Sequence, residues 1–224
     1  MIKIAISGSK GKMGSSIMEL AGHDKALEIS GVFDMGDAAE PIIEVCDCLI
    51  EFTTPEATMD HLDLCAKHKK PVVIGTTNLS EAEKGRIKEL SREIAIIFSP
   101  NMSVGVNLLF KMVKDASKIL GAEYSVDIVE AHHVHKKDSP SGTAKEMARI
   151  VKEARPDVEV PIESVREDEI VGEHTITFDG PLDTLEITHS AKTRDIFAKG
   201  ALEAAKFAVT KKHGLFTMKD VLGL

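Results

Sequence analysis

Residues 130–147, EAHHVHKKDSPSGTAKEM, place three histidines and two lysines ahead of a Ser-Gly-Thr helix start. Imidazole, with an ordinary pKa of about 6.5, is the side chain best suited to proton transfer near neutrality. The two ammonium groups attract an anion. The hydroxyls of Ser141 and Thr143 can cap free helix N–H groups, and Gly142 lets a ligand come close to them. The combination reads as an anion site with an adjacent acid. A divalent cation on His132, His133 and His135 is the rival reading. Neighbouring strand residues point to opposite faces, though, and Lys136 and Lys137 repel a cation, so no metal is expected.

A second group of residues has the form of a nucleotide loop. Gly8, Gly11 and Gly14 lie in GSKGKMG between a strand and a helix, where glycine permits a tight turn and a close backbone approach to a pyrophosphate. That spacing by itself fits a close-packed turn equally well. Asp34, 20 residues beyond Gly14 at the end of the next strand, adds a carboxylate able to accept hydrogen bonds from the adenosine ribose, and the pair points to a dinucleotide. A carboxylate there repels a ribose 2′-phosphate and favours NADH, whereas Lys10 and Lys12 would attract that phosphate, so NADPH stays open. Two further strand ends, Gly75-Thr76-Thr77 and Ser99-Pro100-Asn101-Met102, are small or polar enough to receive the nicotinamide ribose and carboxamide, although turn chemistry alone would also explain them.

The elements needed to position these groups follow from apolar periodicity. Short runs at residues 2–7, 29–33, 46–52, 71–74 and 94–98 show little polar alternation, as buried parallel strands do, and helical patterns at 13–20, 55–68 and 80–91 separate them. This is a Rossmann-like, doubly wound α/β pattern. A long helix is expected over 104–120. Strands follow at 124–129, 160–166, 170–178 and 185–190, several alternating polar with apolar residues as in His174 to Phe178, which suits an open mixed or antiparallel sheet. The expected division is a dinucleotide-binding domain, 1–103, completed by helices within 193–224, and a second α+β domain, 104–192, for substrate. Closure of the two is expected about hinges near 102–104 and 192–196.

With 43% hydrophobic residues the chain suits a globular protein, and a net charge of −8 opposes nucleic-acid or anionic-membrane partners. There is no run of 18 apolar residues and no signal-peptide pattern at the start, so a cytoplasmic setting is expected. Cys46, Cys48 and Cys65 lack a CxxC pair and read as reduced core thiols. That argues against a semialdehyde dehydrogenase, which would need a thiol nucleophile at the cleft. A dinucleotide-binding sensor without turnover is the non-enzymatic alternative.

The central stretch, E-A-H-H-x-H-K-x-D-x-P-S-G-T-A, resembles the signature of the 4-hydroxy-tetrahydrodipicolinate (dihydrodipicolinate) reductase family. GSKGKMG, EFTTPEAT, VVIGTT, SPNMSVGVN, SVREDEIVGEHTITF and LEITHSAKTRDIFAKGA match that family in order, over nearly the whole chain. The resemblance implies NAD(P)H-dependent reduction of a cyclic dicarboxylate imine in lysine biosynthesis through diaminopimelate. It implies His132 as proton donor or acceptor, Lys136 as proton donor, and His133, Gly142 and Thr143 as substrate-binding residues. Cofactor contacts are implied at Gly8, Ser9, Lys10, Gly11, Lys12 and Met13, at Asp34, at Gly75, Thr76 and Thr77, and at Ser99, Pro100, Asn101 and Met102. Lys12 stands where the family often has Arg. A homotetramer assembled through the second sheet is also implied.

Overall fold

In the computed structural model, which describes all 224 residues, apolar runs alternate with amphipathic helices from the start. The order is β1 (Ile2–Ser7), α1 (Lys12–Gly22), β2 (Leu27–Phe33), α2 (Ala39–Val45), β3 (Cys48–Glu51), α3 (Pro55–Lys67), β4 (Val72–Ile74), α4 (Glu81–Leu90) and β5 (Ala95–Phe98). These strands, joined later by β10, form a parallel sheet in the order β10-β5-β4-β3-β1-β2. Every residue of β3 and β4 is buried, because apolar clusters cover both faces. Ile4, Ile6, Ile50, Val73 and Ile97 pack toward α1 and the C-terminal helices, while Ala5, Leu49, Val72, Ile74 and Ile96 pack toward the residues of α2, α3 and α4. The order reverses between β1 and β3, and in open α/β sheets ligands bind outside the carboxyl ends of strands at such a point.

The chain continues through α5 (Val104–Ile119), β6 (Ser125–His132), α6 (Gly142–Ala154), β7 (Ile162–Arg166), β8 (Glu173–Asp179), β9 (Thr184–Ser190), α7 (Asp195–Ala208), β10 (Gly214–Phe216) and α8 (Met218–Leu222). The second sheet has the order β7-β6-β8-β9, with β6 parallel to β7 and antiparallel to β8, and β8 antiparallel to β9. One face is buried under α5 and α6: Val126, Ile128, Ile176 and Phe178 meet Val106, Phe110, Val113, Met147 and Ile150. The chain divides into two units, Met1–Val104 with Asp195–Leu224, and Gly105–Arg194. Both sheets are of the expected kinds.

Several details differ from the sequence reading, among them β6, which runs on to His132 where the strand was expected to end at 129. Residues 39–45 form a helix, α2, where none was assigned. Cys46 is the residue capping that helix, not part of a strand, and the adjoining strand begins only at Cys48. The C-terminal segment holds a three-residue strand, β10, which extends the first sheet beside β5 before α8 begins. All three thiols are buried and unpaired, and burial pushes each above its ordinary pKa, Cys46 to about 11. None is a ready nucleophile. No helix is long and apolar enough to cross a membrane.

Candidate active site

The glycine loop lies at the carboxyl end of β1, beside the reversal of strand order. Gly8 has φ +76°, and a Cβ there would sit 2.4 Å from the Phe52 carbonyl oxygen, so only glycine fits. A Cβ on Gly14 would come within 2.2 Å of the Gly8 carbonyl oxygen, so loop and helix pack backbone to backbone. The first turn of α1 has neither a side-chain cap nor an acidic residue, which leaves helix N–H groups for an anion. The loop is tied to the end of β2: the Gly8 and Ser9 amides donate to the Phe33 carbonyl oxygen, and the Lys10 amide donates to Asp34 Oδ2 at 2.8 Å. Hydrogen bonds from the Lys10 and Met35 amides hold the Asp34 carboxyl below its ordinary pKa, so it is charged at neutrality. Lys10, Gly11 and Lys12 are exposed, Met13 is half-buried and Ser9 is buried. The glycine loop and the Asp34 carboxylate therefore adjoin.

The other strand ends are more mixed. A Cβ on Gly75 would fall 2.1 Å from the Phe52 ring. Thr76 turns inward, its Oγ1 accepting from the Thr53 amide at 3.1 Å and lying 2.8 Å from the Thr58 hydroxyl, while Thr77 is exposed. Behind them lies fully buried Glu51, 2.7 Å from His61 Nδ1. In the last segment Asn101 Oδ1 accepts from the Ser103 amide, the Ser99 hydroxyl donates to the Asn101 carbonyl oxygen, Pro100 is exposed and the Met102 side chain belongs to the core.

In the second unit the buried face of β6 changes from apolar to ionisable along the strand, from Val126 and Ile128 to Glu130 and His132. α6 begins where it does so. Ser141 caps the helix by accepting from the Ala144 amide, its own amide donates to Glu130 Oε1 at 3.2 Å, and its hydroxyl lies 3.0 Å from His174 Nε2. A Cβ on Gly142 would meet nothing within 4 Å, so this part of the helix start faces open space. Thr143 follows, half-buried.

Glu130 is fully buried beneath this helix start. Its Oε1 accepts from Arg166 Nη2 at 2.8 Å and its Oε2 from Arg166 Nη1 at 3.1 Å; Oε2 also bonds His132 Nδ1. Burial pushes the carboxyl upward, but hydrogen bonds led by the Arg166 guanidinium outweigh it and hold the pKa at about 2. Burial lowers the pKa of His132 and the Glu130 carboxylate opposes it, with a net lowering, so the imidazole is neutral at pH 7. His174, packed edge-to-face on His132 at 5.0 Å, is driven to about 4, first by burial and then by the neighbouring His132. Glu130, His132 and His174 gather ligand atoms within 4.8 Å of one another, but the Arg166 guanidinium already occupies both carboxylate oxygens where a cation would sit.

His133 and Lys136 stand on the loop after β6. His133 Nε2 lies 3.1 Å from Arg194 Nη2, and Lys136 Nζ donates to Asp138 Oδ1 at 2.7 Å. His135 and Lys137 are exposed. Sequence reasoning missed Glu130, Arg166, His174 and Arg194. For Glu130 a signal was present: it occupies the inward phase of an alternating strand, one step before His132.

A doubly wound nucleotide-type sheet and an α+β unit carrying a histidine-carboxylate cluster at a helix start together define a reductase of the two-unit, dinucleotide-dependent class. Two family models cover almost all of the chain, "Dihydrodipicolinate reductase, N-terminus" over residues 2–102 and "Dihydrodipicolinate reductase, C-terminus" over residues 105–222. The chain belongs to the dihydrodipicolinate reductase family. The 4-hydroxy-tetrahydrodipicolinate reductases of Geobacter sulfurreducens and Geotalea uraniireducens are 40% and 38% identical to it in alignments that span 266 positions with gaps and cover 100% of both chains in each case. Dipicolinate-bound dihydrodipicolinate reductase from a Paenisporosarcina species superposes with a TM-score of 0.87 at 25% identity, covering 97% of each chain. The diaminopimelate dehydrogenase of C. glutamicum, 14% identical with a TM-score of 0.60, shares the fold.

Proposed function

We propose that the chain reduces 4-hydroxy-tetrahydrodipicolinate to tetrahydrodipicolinate, with loss of water, in the cytoplasm and on the diaminopimelate route to lysine. A bound NADH or NADPH supplies the hydride to a ring carbon of the conjugated imine. The chain's own residues bind the two carboxylates and manage protons. The observation that carries the reading is the meeting of an α6 start open at Gly142 with the buried His132 and the cationic loop bearing Lys136. One substrate carboxylate takes the amides at Gly142 and Thr143, where the helix dipole favours negative charge. His133, beside the Arg194 guanidinium, holds the other polar end.

His132 takes a proton from the ring as water leaves and returns it to the ring after hydride addition, and Lys136, released from Asp138 by the incoming anion, donates the proton that departs with the hydroxyl. Residues 8–13 would hold the pyrophosphate of the dinucleotide and Asp34 its ribose hydroxyls, and residues 75–77 and 99–102 would receive the nicotinamide end. The charged Asp34 favours NADH, while Lys10 and Lys12 allow NADPH. Assembly as a homotetramer through the second sheet completes the reading.

Gly142→Ala tests the carboxylate subsite cleanly, because the new methyl meets no protein atom within 4 Å but projects into the space assigned to substrate. Calorimetry should show dipicolinate, a planar dicarboxylate, binding the wild-type chain and binding the variant at least tenfold more weakly, with an unchanged melting temperature. Equal affinity in both would remove the α6 start from the substrate site.

A further inference from the structure

The buried carboxylate under His132 has a definite hydrogen-bonding logic. Glu130 offers four lone-pair positions on two oxygens. Oε1 receives Arg166 Nη2 and the Ser141 amide; Oε2 receives Arg166 Nη1 and His132 Nδ1. A guanidinium and a backbone amide can only donate. Three of these four contacts are obligate donors, two of them from the Arg166 guanidinium, and that clamp holds the Glu130 carboxyl ionised, with its pKa at about 2. An ionised carboxylate accepts only, so the ring nitrogen facing it must carry the hydrogen. The other ring nitrogen, Nε2, lies on the side of Gly172, where even a methyl group would press to 3.0 Å.

We infer that Glu130, clamped by Arg166, is the positioning residue that holds His132 in its Nδ1–H tautomer and leaves Nε2 as the atom that exchanges a proton with substrate. The inference rests on the reading of His132 as the proton-transfer group. When Nε2 takes a proton the ring becomes an imidazolium whose positive charge faces the Glu130 carboxylate through Nδ1–H. When Nε2 gives that proton to the substrate the neutral tautomer returns, and Glu130 never changes protonation. Arg166 makes this possible from the neighbouring strand, where it is the register partner of His132, and it also ties down the loop by donating to the Asp138 carbonyl oxygen at 2.7 Å.

The same arrangement sets the pH response. The charged and titratable groups facing His132 are Glu130 on its own strand, Arg166 on β7, His174 on β8 with His189 behind it on β9, and Lys136 with its partner Asp138 on the loop. Glu130 is the sole anion in direct contact with the ring, so removing its charge lowers the pKa of His132 further.

The test uses the full chain with NADH. Nitrogen-15 NMR of labelled histidine in the wild type should show His132 with Nδ1 protonated and Nε2 bare at pH 8; the opposite tautomer overturns the inference without any variant having to fold. In turnover, Glu130→Gln should lose roughly 10²–10⁴-fold in kcat, as when a triad carboxylate that orients a histidine is replaced by its amide. The KM for NADH should hold, and the acidic limb of the kcat/KM profile should move to lower pH. Glu130→Gln combined with His132→Ala should be no slower than His132→Ala alone. If the two losses multiply, or if the pH profile does not move, Glu130 does not act through His132. If His132→Ala itself retains wild-type kcat, the parent reading fails instead.

Discussion

Gly14→Ala probes the contact on which the nucleotide loop is built. The added Cβ would lie 2.2 Å from the Gly8 carbonyl oxygen, 2.7 Å from Ser9 Cα and 2.9 Å from the Gly8 carbonyl carbon. All three are backbone atoms, so no side chain can swing aside. Because Cβ contacts under 3.0 Å are essentially unknown, helix and loop must separate by at least about 0.8 Å. Misplacement of a binding group by close to 1 Å costs about 10²-fold, or roughly 2.7 kcal/mol. The stability cost is smaller: overpacking of about 1–3 kcal/mol is partly offset by the gain of about 1 kcal/mol when alanine replaces glycine inside a helix. That corresponds to a fall in Tm of a few degrees at about 2–4 °C per kcal/mol. The chain has no tryptophan, so NADH fluorescence can be titrated without indole background. Gly14→Ala should weaken NADH about 10²-fold and leave dipicolinate affinity, measured without cofactor, within about twofold. A folded variant that binds NADH within threefold of wild type would refute the placement of the pyrophosphate on this loop.

Asp34→Asn removes the charge at the ribose edge but retains a side chain that can accept from the Lys10 amide, so the ratio of KM for NADPH to KM for NADH should fall about tenfold, or about 1.4 kcal/mol; an unchanged ratio in steady-state kinetics would mean that the 2′-phosphate lies elsewhere. Acid should destabilise the second unit in two stages. His174, depressed from 6.5 to about 4, binds fewer protons folded than unfolded, so its contribution is present above pH 6.5 and is lost as pH falls toward 4. Glu130, depressed from 4.5 to about 2, contributes above 4.5 and loses that contribution below it, by roughly 3 kcal/mol in full. Urea midpoints measured from pH 8 to pH 3 should decline from about pH 6.5 downward, and His174→Gln should flatten the upper stage alone; a midpoint constant down to pH 5 would contradict the buried neutral imidazole.

The first sheet was legible because its strands are mostly apolar with little polar alternation and are separated by helices with clear starts, such as Thr54-Pro55 and the Ser80–Glu83 capping box. The second was legible from alternation, as in His174 to Phe178. α2 was missed because AEPIIEV carries a proline and too few turns to show a period. β10 was missed because three residues beside Lys211, Lys212 and His213 have no strand signal of their own and gain one from pairing with β5. His132, Lys136 and the Ser-Gly-Thr start stand within twelve residues of one another, so composition marked them. Arg166 reaches Glu130 only through the parallel pairing of β6 with β7, and His174 only through the antiparallel pairing of Glu130 with β8. Such partners depend on register, which a single sequence does not display. Glu130 itself was visible, as an acid on the buried phase of a strand.

The central claim is tested most directly by turnover. NADH and NADPH oxidation would be followed after adding the cyclic imine formed in place from pyruvate and aspartate semialdehyde, with wild type, His132→Ala and Lys136→Ala compared at matched cofactor occupancy. The account predicts rapid oxidation by wild type and a loss of roughly 10²–10⁴-fold in kcat for each variant, with NADH affinity retained. Cofactor binding by the wild type with no oxidation, or variants as fast as wild type, would contradict it.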